Sequence, residues 1–139
     1  MRALHHTLVS LAAAAVATML VAGPAKADPD GVVVAVVQQA HIDAKTGKKT
    51  LMPANPIYSG DKVITDQIGE AQIKFRDNTR LVIGPNSMMI IDAFVFDKDD
   101  SARKVSISAV KGAFRFISGN SPKDAYTITT PTSTIGIRG

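Results

Sequence analysis

The sequence predicts an all-β domain, and three observations predict it. Apolar side chains recur with a period of two wherever a pattern is visible. Strand-like runs follow one another about every 8–12 residues, with Gly, Pro, Asn and Asp turn signals between them. Beyond the first 27 residues, no segment keeps a helical period over two turns. The expected fold class is an antiparallel-rich twisted β-roll or β-sandwich. It is solenoid-like in its winding but has no repeat of fixed length.

In chain order, the first element is a leader. Arg2, His5 and His6 give a short positive start, and residues 8–22 are apolar except for Ser10 and Thr18. Gly23-Pro24 breaks the run, and Ala25-Lys26-Ala27 offers small residues where a signal peptidase reads. This is a signal peptide cleaved after Ala27, because the run is shorter than the ~20 residues a membrane span needs. Residues 28–56 form an N-terminal strand and loop region. Within it Val32 to Val37 reads as a buried strand, Asp43 to Thr50 as a loop or hairpin tip, and Pro53 and Pro56 argue against regular structure. Residues 57–139 form the main β domain.

That domain opens with the Ser59-Gly60-Asp61 turn and a Val63-Ile64 strand, then turns at residues 66–69. Ala71, Ile73 and Phe75 alternate with Gln72, Lys74 and Arg76, and beyond Asp77-Asn78 the alternation resumes at Leu81 and Ile83. A two-residue loop would put Arg80 on the apolar face of this hairpin. A three-residue loop, Arg76-Asp77-Asn78, pairs Phe75 with Thr79, Ile73 with Leu81 and Ala71 with Ile83, which keeps every apolar residue on one side. It also places Asn78 at the left-handed position and sets Lys74 opposite Arg80 on the outside. Later strands are expected at Met88 to Phe96, around Val105, Ile107 and Ala109, at Phe114 and Phe116, at Tyr126 to Thr130, and from Ile135. Asp97 to Arg103 and Gly119 to Asp124 are the loops between them.

Removal of Arg2 and Lys26 with the leader leaves 14 basic residues against 12 acidic, a net charge of +2. That small excess, spread along the chain, is no nucleic-acid footprint. There is no cysteine, so an exported domain of this size rests on its core, without disulfides or a thiolate metal site. No second long apolar run follows, and the processed chain is expected not to span a membrane.

Five pieces carry a family resemblance: Ser59-Gly60-Asp61; Phe75-Arg76-Asp77-Asn78-Thr79-Arg80-Leu81; Gly84-Pro85-Asn86-Ser87; Val110-Lys111-Gly112-Ala113-Phe114-Arg115-Phe116; and the stretch from Thr129 to Gly139. In that order and spacing, over residues 57–139, the chain resembles the FecR domain family. The resemblance implies an all-β periplasmic domain, which in the namesake branch relays a signal from an outer-membrane transporter to a sigma factor. This chain departs from the namesake. It has a cleavable leader in place of a cytoplasmic region and membrane helix, so it is expected not to govern a sigma factor directly. Asn78 stands where the family usually has Gly. The sequence stops at Arg138-Gly139, where the family runs on: either this is a truncated product or fragment, or the last strand is absent, and in the second case an open sheet edge is expected near residues 135–139. Ile135, Ile137 and Arg138 are therefore the candidate interaction surface.

The residue types that could carry chemistry favour plainer readings. His41, the single His outside the leader, reads as a solvated loop residue rather than a metal ligand with Asp43. Asp97, Asp99 and Asp100 lack the spacing of a calcium loop. Glu70, the sole Glu, has no evident carboxylate partner for glycoside hydrolysis. Ser87 and Ser133 lack a nucleophile context, and Asn86-Ser87 reads as a turn cap. Arg138 fits an anion site, or lies over the sheet with its stem on apolar surface, the preferred reading. Phe75, Phe94, Phe96, Phe114 and Phe116 read mostly as core.

The functional expectation is a non-enzymatic, periplasmic or secreted module that senses or binds another envelope protein, without a cofactor. The alternative is a carbohydrate or peptidoglycan binder with an exposed aromatic platform. A hydrolase has the least support.

Overall fold

The computed structural model describes residue 23, residues 28–132 and residues 134–136. The predicted leader, apart from Gly23, lies outside the described residues, as do Ile137, Arg138 and Gly139. Twelve strands follow in order: β1 (Gly31–Val37), β2 (Ala40–Ala44), β3 (Gly47–Thr50), β4 (Pro56–Ile57), β5 (Lys62–Thr65), β6 (Glu70–Phe75), β7 (Arg80–Ile83), β8 (Met88–Phe96), β9 (Ala102–Lys111), β10 (Phe114–Ile117), β11 (Tyr126–Thr129) and β12 (Thr134–Gly136). A short 3-10 turn at Lys123–Ala125 precedes β11, and among the described residues there is no α-helix.

The strands form two sheets, one ordered β10-β7-β6-β1-β4 and the other β12-β11-β9-β8-β5-β2-β3. The chain crosses repeatedly from one to the other, so consecutive hairpins wind around a shared core. Among the described residues each sheet keeps two edges, and the result is an open roll rather than a closed barrel. Pairing is antiparallel except between β9 and β11, which run parallel. A parallel pair needs a crossover, and β10 in the opposite sheet supplies it.

The β6–β7 hairpin has the predicted register. Ala71 pairs with Ile83, Ile73 with Leu81 and Lys74 with Arg80, and the Phe75 N–H donates to the Thr79 carbonyl at 2.8 Å. Asn78 sits at φ 66°. Ala71, Ile73, Leu81 and Ile83 are fully buried, as alternation requires. They meet Val63, Met89, Ile91, Val105 and Ile107 from the other sheet. Phe75 stacks on Phe94 with centroids 4.2 Å apart, and Phe94 on Phe96 at 5.3 Å.

Three local expectations are corrected. The Val32 to Val37 run is buried on one side only: Val33 is 1% exposed, whereas Val32 and Val34 are 39% and 43% exposed. Its run of apolar residues hides the alternation because both faces carry Val. Pro56 belongs to a strand, at the sheet edge where its missing N–H costs no ladder bond. His41 lies in β2 rather than in a loop, with Nε2 3.3 Å from Asp66 Oδ1.

Candidate functional site

The sequence pieces that carry the resemblance hold backbone in place, through contacts with one another or with residues between them. Asp61 folds back to accept the Tyr58 N–H through Oδ2 at 2.8 Å, while the Ile91 N–H donates to its carbonyl at 2.9 Å. Ser59 Oγ donates to Asp30 Oδ2 at 2.8 Å and accepts the Phe94 N–H at 3.0 Å. Burial pushes the Asp61 carboxyl above its ordinary value. The Tyr58 N–H opposes the shift, Asp30 adds to it, and Lys49 lowers it again.

Ser87, fully buried, joins the third piece to the fourth. Its Oγ accepts the Ala113 N–H at 3.1 Å and has the Ala113 and Pro85 carbonyls within 3.2 and 3.0 Å as acceptors for its one proton. The Gly84 N–H also donates to the Ala113 carbonyl, at 2.8 Å. Gly112, at φ 92°, presses on this serine so closely that a Cβ would overlap it. The β9–β10 turn is thereby seated on the β7–β8 turn.

Asp77 is the centre of the most extensive polar cluster. Its Oδ2 accepts from Tyr126 Oη and from Ser121 Oγ, both at 2.6 Å, and its Oδ1 accepts the Thr79 N–H at 2.9 Å. Two donor chains end on this carboxylate. In one, the Gly119 N–H donates to Thr79 Oγ1, which donates to Tyr126 Oη, each at 3.1 Å. In the other, the Ala102 N–H donates to Ser121 Oγ at 2.6 Å. Asp77, Thr79, Ser121 and Tyr126 are all buried. Burial alone would raise the carboxyl of Asp77, but the hydrogen bonds from Ser121, Tyr126 and Thr79 outweigh it and hold the group below the ordinary carboxylate range. Burial, and then the bond to Asp77, pushes the Tyr126 hydroxyl up. The carboxylate accepts three hydrogen bonds inside the fold, and the cluster acts as a clamp between the two sheets.

This clamp and the Ser87 seat hold β10 from its two ends. β10 pairs with β7 on one side: Arg115 opposite Val82, Phe116 opposite Leu81 and Ile117 opposite Arg80. Among the described residues its other side receives no backbone hydrogen bond. The remaining edges differ. β3 is lined by exposed Lys48 and Lys49, and β4 is two residues long and begins with Pro56, both devices that discourage strand pairing. β12 is the edge anticipated near the C-terminus, and Ile135 lies in it, paired with Ile128 of β11. The other anticipated residues there, Ile137 and Arg138, are not described.

β10 also borders a charged face. Across the outside of the five-stranded sheet, Ile117, Arg80, Lys74 and Val32 form one row. Arg115, Val82 and Gln72 form the next. Among the described residues Lys74, Arg80 and Arg115 make no ion pair.

The other acidic residues are dispersed. Asp97 pairs with Arg103 at 2.7 Å and Asp100 with Arg76 at 2.6 Å, while Asp99 accepts the Ser101 N–H at 3.1 Å. Arg76 also lies over the Phe96 ring, 4.5 Å from its centroid. Glu70 is exposed at the start of β6. No cluster of three ligand-type residues that could hold a metal occurs among the described residues. Ser133 is not described.

A family model described as "FecR protein" matches residues 61–139. No curated protein matches the chain. A solved structure titled "Cell surface anchoring domain" is similar at 27% identity, covering 45% of this chain and 83% of that chain, with a TM-score of 0.42.

Proposed function

The chain belongs to the FecR protein family, and from that premise we propose that it is an exported, non-enzymatic module of the cell envelope that binds another protein by strand addition at β10. The free edge of β10 carries this reading. Like the three-residue β12 it lacks the lysine pair of β3 and the proline of β4, and over four residues it presents Phe114, Arg115, Phe116 and Ile117. Strand addition supplies main-chain hydrogen bonds for affinity and alternate side chains for specificity. A shallow depression of about 160 Å³ between Val82 and Phe114 lies beside the strand and gives a partner side chain a seat.

Two further observations favour a protein over a sugar or a substrate. The rings available for a sugar-stacking platform are few: Phe75 and Phe94 are buried, Phe96, Phe114 and Phe116 are half-buried, and Phe116 packs edge-on against Tyr126 at 5.4 Å. The carboxylate with the most partners, Asp77, is sealed within the core. Export rests on the leader-like residues 1–27.

Ile117 and Val110 are equally exposed, at 41% and 40%, and give a matched test. A photo-crosslinking side chain placed at each is activated in intact cells. The expected result is a discrete adduct with an envelope protein from position 117 and none from position 110. The same pattern from both positions, or none from either, removes the case for β10 as the docking edge.

A further inference from the structure

We infer that the segment docking on β10 is acidic: an extended stretch of a partner protein carrying Asp or Glu at alternate positions. This rests on the reading of β10 as a docking edge and adds the partner's chemistry to it.

The argument starts from a local conflict. Lys74 and Arg80 are direct cross-strand partners on the outer face. Such pairs hold their Cβ atoms about 5 Å apart, and like charges there disfavour the sheet. Folded chains relieve this with a neighbouring carboxylate, and this face gives neither side chain an ion pair among the described residues. Its acidic strand residue is Glu70, which lies four residues from Lys74 along β6, about 13 Å away. Arg115 adds a third cation on β10 itself, exposed and without an ion pair among the described residues. Arg76, which follows Lys74 in the outward alternation, has Asp100, and Arg103 has Asp97. Lys74, Arg80 and Arg115 thus place three cations without an ion pair on neighbouring strands beside the unpaired edge.

The geometry then fixes the pattern. A strand added to β10 lies about 5 Å from it, so its outward side chains join the row of Arg115 and Val82 or the row of Ile117 and Arg80. Carboxylates at alternate positions meet Arg115 directly and Arg80 one strand further in. The intervening residues face the half-buried Phe114 and Phe116 and need to be apolar. The predicted ligand alternates acidic and apolar residues, and charge complementarity also steers its approach.

The test uses the purified protein and fluorescent octapeptides of capped alternating Glu and Val, the same with Lys in place of Glu, and the Glu peptide N-methylated at alternate amides. Phosphatidylglycerol vesicles are a fourth probe. Expected is binding of the Glu peptide about tenfold or more tighter than the Lys peptide. Charge reversal in the surface double variant Lys74→Glu/Arg115→Glu, checked for unchanged thermal unfolding, reverses that preference. Equal binding of the two peptides, no binding of the Glu peptide at about 1 mM, or a preference untouched by charge reversal overturns the inference. So does binding confined to the vesicles and lost on charge reversal, which makes the face a membrane contact. If the N-methylated Glu peptide binds as well as its parent, the acidic preference stands and strand addition at β10 falls. The two readings fail separately.

Discussion

Tyr126 Oη donates to Asp77 Oδ2 at 2.6 Å, and this bond spans 49 residues of sequence. Asp77 stands in the turn between β6 and β7, and Tyr126 opens β11 in the opposite sheet. The bond therefore ties the two sheets together through the core. Ser121 brings the intervening loop to the same oxygen at 2.6 Å, and that loop is the exit from β10. The placement of the candidate docking strand thus depends on a carboxylate that no partner molecule touches.

Removal of Asp77 should leave three buried donors without an acceptor. A buried donor left unsatisfied costs about 1–3 kcal/mol, so Asp77→Ala is expected to lose about 3 kcal/mol or more in urea unfolding. Tyr126→Phe removes one donor and keeps the ring against Phe116, and about 1–2 kcal/mol is expected. The double variant should lose less than the sum of the two, because the bond is shared. A loss below about 1 kcal/mol for Asp77→Ala would show that the clamp is not the tie described.

The same carboxylate sets an acid limit. The folded value of Asp77 lies below its unfolded value. Its contribution is therefore complete above the unfolded value near about 4, and it fades as pH falls through the folded value. Stability measured by urea unfolding should fall with acidification in this window, and the fall should be shallower in Asp77→Asn. Parallel pH curves for the two proteins would remove Asp77 as a source of acid sensitivity.

Asp61 has the opposite sign. Burial raises its carboxyl in the folded state, so ionisation at neutral pH works against folding. The penalty is full above the folded value and fades as pH falls towards the unfolded one. Asp61→Asn keeps an oxygen for the Tyr58 N–H and removes the charge. A higher Tm than the parent is expected at about pH 7, with the difference closing at about pH 3. A lower Tm at neutral pH would mean that the charge itself serves the Ser59-Gly60-Asp61 turn.

The strands were legible in the sequence because alternation is local. The register of β6 and β7 followed from keeping Ala71, Ile73, Leu81 and Ile83 on one face, and the left-handed Asn78 followed from that register. The clamp was not read, because the partners of Asp77 at positions 121 and 126 sit 44 and 49 residues away and a turn aspartate looks solvated. A signal existed. Tyr126 shares the apolar face of its strand with Ile128, and a buried tyrosine hydroxyl needs a partner. Thr79, placed opposite Phe75 by the predicted register, was a second polar group on the same face. β10 as an edge strand was beyond local pattern, because edge position depends on which sheet each hairpin joins.

The loop leaving β10 supplies the last prediction. Gly119 passes so close over the β6–β7 turn that a Cβ would overlap the Asp77 carbonyl and the Thr79 nitrogen. Those are backbone atoms of a buried turn and have little room to yield. Gly119→Ala should push the loop outward and stretch the bond from the Gly119 N–H to Thr79 Oγ1 and that from the Asn120 N–H to the Asp77 carbonyl. Overpacking of this kind costs about 1–3 kcal/mol. Gly136→Ala is the control, because a Cβ there meets nothing within 4 Å. Amide hydrogen exchange should quicken in β10 and β11 of Gly119→Ala while β5 and β8 keep their protection, since the clamp holds only the former pair to the turn. Uniform quickening across both sheets would mean that the clamp stabilises the whole roll rather than the placement of β10.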